Sequence, residues 1–139
     1  AQAAIWLEAN TDASETGAYH FDLSRSTNGD PIQIDPAPVL LDVLQDQRQG
    51  VAISTIAGRF HNAVARAIYD ACLLARRSTG LSTVVLSGGV FQNATLLTKT
   101  VPLLESEGFT VHTHELVPPN DGGIALGQAA IAAYTVQHG

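Results

Sequence analysis

Two glycine-rich turns contain most of the residues whose types and spacing suit chemistry. The first glycine turn, residues 87–93 (Ser-Gly-Gly-Val-Phe-Gln-Asn), follows a β-branched apolar run and precedes a helical pattern of leucines. Glycine permits positive φ and lets a ligand approach the backbone without a Cβ in the way. The start of a helix offers unpaired N–H groups and the positive end of the helix dipole, which suits an anion such as phosphate. A turn that needs glycine only for its geometry is the alternative.

The second glycine turn, residues 120–123 (Asn-Asp-Gly-Gly), follows a strand-like run at 109–111 and also opens a helix. Turns at the ends of successive parallel strands lie at one edge of a sheet, where open α/β sheets bind ligands. We therefore expect the two turns to converge. Asp121 is the only carboxylate in either turn. It either caps a helix by accepting backbone N–H bonds or binds the metal ion that accompanies phosphates.

Single histidines and the lone cysteine each have a plain structural interpretation. His112 and His114 are two apart, so they share one face of a strand, where they either ligate zinc or face solvent. Cys72 lies on an apolar helical stripe and is interpreted as a core cysteine rather than a nucleophile. His61 lies at the border of the same stripe, as a boundary residue satisfied by a hydrogen bond.

The elements that must position these residues form one α/β domain, residues 1–139. In chain order the pattern predicts a helix at 1–10, strands at 18–23 and 31–34 around a turn at 28–30, a helix through 44, a long helix at 53–75 closed by Gly80, a strand–helix–strand unit at 83–111 and a last helix at about 121–136. The strand–helix–strand unit should make a parallel crossover. Pro102 predicts a bend or break near Thr100. Gly123 and Gly127 would permit close packing of the last helix.

Composition excludes several classes of function. The net charge is −6 and only 7 residues are Lys or Arg, so nucleic acid is not expected as a partner. No apolar run approaches the ~18 residues that span a membrane. One cysteine excludes a disulfide framework, which is compatible with the cytoplasm. Charged residues make up only 14% of the chain, which suggests that part of its surface is covered by something else.

Longer runs around both turns resemble the C-terminal region of the HypF family, the carbamoyltransferases that mature [NiFe] hydrogenases. The runs are 86–93 (Leu-Ser-Gly-Gly-Val-Phe-Gln-Asn) and 116–128 (Leu-Val-Pro-Pro-Asn-Asp-Gly-Gly-Ile-Ala-Leu-Gly-Gln), with shorter matches at 1–5 and 56–62 in the same order. The resemblance implies one lobe of the actin/Hsp70/sugar-kinase-like fold. It would have a mixed sheet with an N-terminal hairpin and a parallel β-α-β unit, with helices packed on it.

The resemblance also implies an activity and a set of site residues. The full-length enzyme would move a carbamoyl group from carbamoyladenylate, made from ATP and carbamoyl phosphate, to the C-terminal cysteine of its partner HypE. Asp121 would bind a divalent metal ion, and the chain would supply no catalytic nucleophile, because the partner thiol attacks. The residues expected to bind the nucleotide are Gly88, Gly89, Gly122 and Gly123 at the phosphates, Asn93 on the adenosine side and His61 facing the interlobe cleft.

Parts of the family pattern are missing from this sequence. The family's metal site also uses a His-x-x-x-His arrangement, which does not occur here. Its acylphosphatase-like, zinc-finger-like and carbamoyladenylate-forming domains have no counterpart either. We therefore expect this chain to be the C-terminal lobe of a longer protein, inactive alone, with the remaining domains of that protein as partners. An O-carbamoyltransferase or other nucleotide-binding enzyme of the same fold, and a non-catalytic binding lobe, are the alternatives.

Overall fold

A computed structural model describes residues 2–24 and 31–138, which form a mixed α/β fold. In chain order the elements are α1 (Gln2–Ala9), β1 (Asp22–Ser24), β2 (Gln33–Asp35), α2 (Ala37–Arg48), α3 (Ile53–Thr79), β3 (Thr83–Val85), α4 (Ala94–Ser106), β4 (Thr110–His112) and α5 (Ile124–His138), with 3-10 turns at Gly89–Gln92 and Asp121–Gly123. The predicted order of elements is confirmed. The strands are shorter than predicted, and α2 extends past residue 44.

The strands pair as predicted, but in two separate two-stranded sheets. β1 and β2 form the antiparallel hairpin, with Leu23 opposite Ile34. β3 and β4 form the parallel pair, with Val84 opposite Val111, and α4 is the crossover between them. All three residues of β2 are exposed. The turn predicted at 28–30 lies outside the described residues.

α3 is the central element, because both hydrophobic clusters pack against it. Its apolar positions recur at intervals of three and four, which places them on one face of the helix. The helix contributes Ile56 and Ala63 to the first cluster, which also contains Tyr19 and Val39. Further along, its apolar side chains pack against a second cluster, made by the parallel unit. That cluster contains Leu86, Leu104 and Phe109, packed by Ile68, Cys72 and Leu73.

The end of α3 is where the sequence predicts it. Gly80 has φ +74 and donates its N–H to the carbonyl of Arg76 at 2.8 Å. Glycine takes this left-handed conformation at little cost, which makes it the common residue just beyond a helix. The Arg76 guanidinium lies 4.1 Å from the centroid of the Phe109 ring, so a cation–π contact ties the helix end to the parallel unit.

α4 continues through Pro102, so the predicted break near Thr100 is wrong. Proline removes one helical hydrogen bond. Pro102 is exposed, whereas Leu96, Thr100 and Leu104 on the inner face are almost fully buried. The burial of that inner face holds the helix together across the missing bond.

The two terminal helices contrast with α3. None of the residues described in α1 or α5 is buried. Nothing within the structure lies within 4 Å of the position that a Cβ would take at Gly127, so the predicted close packing there does not occur within this chain. Among residues 2–24 and 31–138, no helix combines the length and the apolar character that crossing a membrane requires.

Candidate functional site

The first glycine turn leaves β3 through a backbone conformation that favours glycine. Gly88 has φ +100, a region that residues with a side chain rarely adopt. The chain then makes the 3-10 turn, in which the N–H of Phe91 donates to the carbonyl of Gly88 at 3.0 Å. The N–H groups of Gly89 and Val90 precede this first bond of the turn, as is usual at the start of a helix. They are the amides of this turn that can meet an anion.

The second glycine turn is capped by Asn120 and not by Asp121. The Asn120 side-chain oxygen accepts from the N–H of Gly122 at 3.0 Å, and its carbonyl accepts from the N–H of Gly123 at 3.0 Å. The cap interpretation of Asp121 is therefore wrong. Asp121 is exposed, and its carboxylate forms no hydrogen bond or ion pair with another described residue.

The two turns touch, so their predicted convergence is confirmed. The N–H of Gly88 donates to the carbonyl of Pro119 at 2.8 Å. A Cβ placed on Gly89 would lie 3.8 Å from the Cβ of Asn120. The physical reason is the parallel pairing of β3 and β4, which brings their carboxyl ends to one edge. At the same edge, Ser87 Oγ lies 2.9 Å from Nε2 of His114.

Beneath the first turn, His61 contacts Asn93. His61 is 4% exposed. Its Nε2 lies 2.9 Å from Nδ2 of Asn93, and its Nδ1 lies 2.8 Å from the carbonyl oxygen of Ala57. Asn93 also caps α4, because its Oδ1 accepts from the N–H of Leu96 at 2.7 Å. The hydrogen bond of His61 was predicted, whereas its burial was not, because the sequence pattern placed it at the border of the apolar stripe. The contact with Asn93 was not predictable, because no local pattern relates residues 32 positions apart.

The start of α4 is already occupied by groups of this chain. Asn93 accepts from Leu96, and Oε1 of Glu8 accepts from the N–H of Thr95 at 3.2 Å. A carboxylate at this helix end also interacts favourably with the helix dipole. The N–H groups of Thr95 and Leu96 are therefore not available to an anion. The N–H groups of Gly89 and Val90 in the 3-10 turn remain as donors at this edge.

Asp121 alone cannot hold a metal ion. Among the described residues, no group of three or more His, Cys, Asp or Glu side chains is placed to bind one. Hard divalent cations prefer several oxygen ligands, so Asp121 fits a site only as one ligand among others that residues 2–24 and 31–138 do not supply. The same finding gives no support to a zinc site at His112 and His114, both of which are exposed.

Cys72 packs against the second hydrophobic cluster, as its sequence pattern predicts. Burial raises the pKa of its thiol, which keeps the thiol protonated and unreactive. The direct contact with ligand that was expected of His61 stays a prediction, although protein groups already occupy both of its ring nitrogens.

Comparison with known proteins assigns the chain to a family. Residues 1–128 match the family model described as Carbamoyltransferase, Kae1-like Domain, second subdomain. The carbamoyltransferase HypF of Synechocystis sp. is 32% identical over 127 residues, 91% of this chain. That of Rhodobacter capsulatus is 35% identical over 100 residues, 72% of this chain.

Solved structures agree. The crystal structure of full-length HypF in the phosphate- and nucleotide-bound form matches 99% of this chain with a TM-score of 0.91 and 39% identity. The crystal structure of T. kodakarensis HypF matches 96% of the chain with a TM-score of 0.74 and 24% identity, which supports the fold alone. The chain spans only 16% of the Synechocystis protein and 13% of the Rhodobacter protein, and it covers 18% of the full-length HypF chain. The chain belongs to the HypF carbamoyltransferase family, in which it corresponds to the second subdomain of the Kae1-like domain.

Proposed function

We propose that this chain forms one wall of a carbamoyl-transfer site in a full-length HypF-type enzyme. The observation that carries the proposal is the contact between the two glycine turns, through Gly88 and Pro119, at the carboxyl ends of β3 and β4. Open α/β sheets bind ligands at such an edge. A structural relative, full-length HypF, was crystallised in a phosphate- and nucleotide-bound form.

In this proposal the nucleotide is carbamoyladenylate, which the full-length protein makes from ATP and carbamoyl phosphate. Its phosphate lies against Gly88 and Gly89 on one side and Gly122 and Gly123 on the other. The N–H groups of Gly89 and Val90 precede the first hydrogen bond of their turn, so they are available as donors to the phosphate. Asn93 lies on the adenosine side; its Oδ1 accepts from Leu96, and of the two hydrogens on its side-chain nitrogen only one faces His61.

The acceptor is the C-terminal cysteine thiolate of HypE. Its sulfur attacks the carbamoyl carbon, a C–S bond forms, and the bond between that carbon and the phosphate oxygen of AMP breaks. Asp121 would hold a divalent metal ion together with ligands from the rest of the full-length protein, and such an ion polarises carbonyl or phosphate oxygens. The activity belongs to hydrogenase maturation and takes place in the cytoplasm.

The test is Asp121→Asn in the full-length protein. Because Asn120 provides the cap, this surface change should alter the free energy of unfolding by less than about 0.5 kcal/mol. The loss of charge removes what a hard cation needs from the side chain. We expect formation of carbamoyladenylate to continue and transfer to a HypE C-terminal peptide to be largely lost.

Asp42→Asn is the matched control, since Asp42 is an exposed carboxylate on α2. It should leave both steps unchanged. Near-normal transfer by the Asp121 variant would contradict the metal role. Loss of carbamoyladenylate formation in a folded variant would contradict its assignment to the transfer step.

A further inference from the structure

We propose that His61 is a positioning residue for the first glycine turn, acting through the side chain of Asn93. In this arrangement His61 does not touch the nucleotide. It fixes the end of the turn that presents Gly88 and Gly89 to the phosphates. The inference rests on the proposed function, because the turn must bind the nucleotide for its position to matter.

The hydrogen-bond partners allow one arrangement of protons. The N–H of Leu96 is only a donor, so the atom of Asn93 that it meets at 2.7 Å is the oxygen. The amide nitrogen of Asn93 therefore faces Nε2 of His61. Because the amide nitrogen can only donate, Nε2 of His61 is the acceptor. On the other edge of the ring, the carbonyl of Ala57 is only an acceptor, so Nδ1 of His61 carries the proton. In this arrangement Nδ1 of His61 donates to Ala57 and Nε2 accepts from Asn93.

A third element holds the other edge of the ring. Oγ1 of Thr11, just beyond α1, lies 3.2 Å from Nδ1 of His61, and the Thr11 hydroxyl donates to the carbonyl of Leu7 at 3.1 Å. Groups from α1, α3 and the start of α4 therefore meet at one buried imidazole. A side chain this tightly partnered has one orientation, which is what a residue needs in order to position another.

The pairing explains why Asn, and not another capping residue, stands at position 93. Ser and Asp cap helices about as well as Asn. Ser has no amide to give to His61, and Asp would set a carboxylate oxygen against the lone pair of Nε2. The cap of α4 uses only the oxygen of Asn93, so its nitrogen is free to bond His61.

Asn93 is also the last residue of the first turn. Its own N–H donates to the carbonyl of Val90 at 3.1 Å. The turn is therefore fixed at two points, by the bond from Gly88 to Pro119 at its beginning and by His61 at its end. We expect loss of the contact between His61 and Asn93 to leave the cap of α4 in place and to release the segment from Gly88 to Asn93.

The test uses three variants of the full-length protein: His61→Leu, Asn93→Ser and the double variant. Asn93→Ser keeps a capping oxygen but loses both amide hydrogens, the one that meets His61 and the one proposed to face the adenosine. His61→Leu leaves Asn93 in place, so this variant separates positioning from direct contact with the nucleotide. With carbamoyladenylate supplied, each single variant should lower kcat/KM for transfer by about tenfold or more, because small misplacements of reacting groups have large effects on rate. Formation of carbamoyladenylate should not change. The double variant should be no worse than Asn93→Ser alone, because His61→Leu removes only the contact that Asn93→Ser has already removed.

Thr100→Val is the matched control. Thr100 is fully buried in α4 and donates to the carbonyl of Leu96, away from the turn. The Thr100→Val variant should transfer the carbamoyl group at the wild-type rate. Normal transfer by His61→Leu or by Asn93→Ser, or losses that multiply in the double variant, would overturn the inference. If Asp121→Asn also transferred normally, the proposed function itself would fail. If Asp121→Asn lost transfer and the His61 variant kept it, only the positioning role would fail.

Discussion

Gly88 and Gly123 both lie in the candidate site, and each position requires glycine for a different physical reason. Gly88 needs its backbone freedom, because φ is +100 while nothing lies within 4 Å of the place a Cβ would take. Gly123 needs its lack of a side chain, because a Cβ there would lie 2.8 Å from the carbonyl oxygen of Pro118. Gly89 has neither constraint: its φ is not positive, and the nearest atom to its Cβ position is 3.8 Å away. The openness at Gly89 is what a ligand approaching the backbone requires.

Substitutions at Gly89 and Gly123 should therefore separate function from folding. Gly123→Ala should lower the free energy of unfolding of this chain by about 1–3 kcal/mol, since a backbone oxygen cannot easily move away. Gly89→Ala should leave stability unchanged or raise it by up to about 1 kcal/mol. In the full-length protein, however, its methyl group should impair carbamoyl transfer. Urea unfolding of this chain measures the two changes in the free energy of unfolding. A Gly123→Ala chain as stable as the wild type would show that the turn can open to admit a Cβ.

Residue types alone do not decide whether Asn120 or Asp121 caps the second glycine turn. Both Asn and Asp are good capping residues, so the sequence allows either to be the cap. The backbone decides: Asn120 is extended, with φ −89 and ψ −169, and the 3-10 turn begins one residue later. The same limit applies to His61, whose helix position was predictable from spacing while its partner came from a turn far along the chain.

Among the elements, α2 and α3 are joined by a polar network at one carboxylate. Oδ2 of Asp46 accepts from the hydroxyl of Tyr19 at 2.8 Å and from Nη1 of Arg59 at 2.7 Å. Arg59 also lies 3.5 Å from Glu15. The hydrogen bond from Tyr19, and then the bond and charge of Arg59, hold the pKa of Asp46 below its ordinary value, against the opposing effect of its partial burial. Burial and the Asp46 carboxylate raise the pKa of the Tyr19 hydroxyl.

The lowered pKa of Asp46 makes this network sensitive to acid. An unfolded chain protonates aspartate near pH 4, whereas the folded chain resists protonation until the pH is lower. The stabilisation from Asp46 is therefore complete above about pH 4 and is lost as the pH falls through the folded pKa. The difference in urea midpoint between the wild type and Asp46→Asn should shrink between pH 6 and pH 3. Asp42→Asn, on the same helix, should follow the wild type at every pH; a constant Asp46 difference would contradict the network.

Pro102 is an element-level exception: of the bend or break predicted near Thr100, the break does not occur. The prediction followed from the lost helical hydrogen bond. It did not account for the inner face of α4, where Thr100 and Leu104 are fully buried. The long helix α3, by contrast, was predictable almost to its ends, because its apolar spacing and Gly80 agree. Local signals were sufficient where they agreed with one another, and tertiary packing decided where they conflicted.

Replacing Pro102 should show what the missing bond costs. Pro102→Ala restores an N–H at an exposed position of α4. The free energy of unfolding should rise by roughly 1–3 kcal/mol, since proline inside a helix is about 3 kcal/mol less favourable than alanine and part of this is offset by the stiffness of proline in the unfolded chain. Val101→Ala on the same helix removes packing and should have the opposite effect. A Pro102→Ala chain less stable than the wild type would indicate that proline fits a bend in α4.

For the whole molecule, apolar surface at the two ends of the chain is the main departure from an ordinary folded domain. The large apolar side chains of α5 are all more than half exposed: Ile124, Leu126, Ile131, Tyr134 and Val136. Ile5 and Trp6 of α1 are exposed to a similar degree. The low charge content led us to expect a covered surface, and the chain spans only about a sixth of the Synechocystis relative. The sequence predicts both helices but cannot show what they pack against, because apolar spacing does not identify a partner.

The exposure of α5 predicts how the chain alone behaves. A helix of 15 residues that buries none of its side chains lacks the tertiary packing that stabilises most protein helices. In hydrogen-exchange measurements on the isolated chain, the amides of α5 should exchange close to the unfolded rate, while those of α3 are protected by the two hydrophobic clusters. In the full-length protein, the α5 amides should become protected as the rest of the protein covers this helix. Equal protection of α5 and α3 in the isolated chain would show that α5 is stable by itself, and unchanged exchange in the full-length protein would show that nothing covers it.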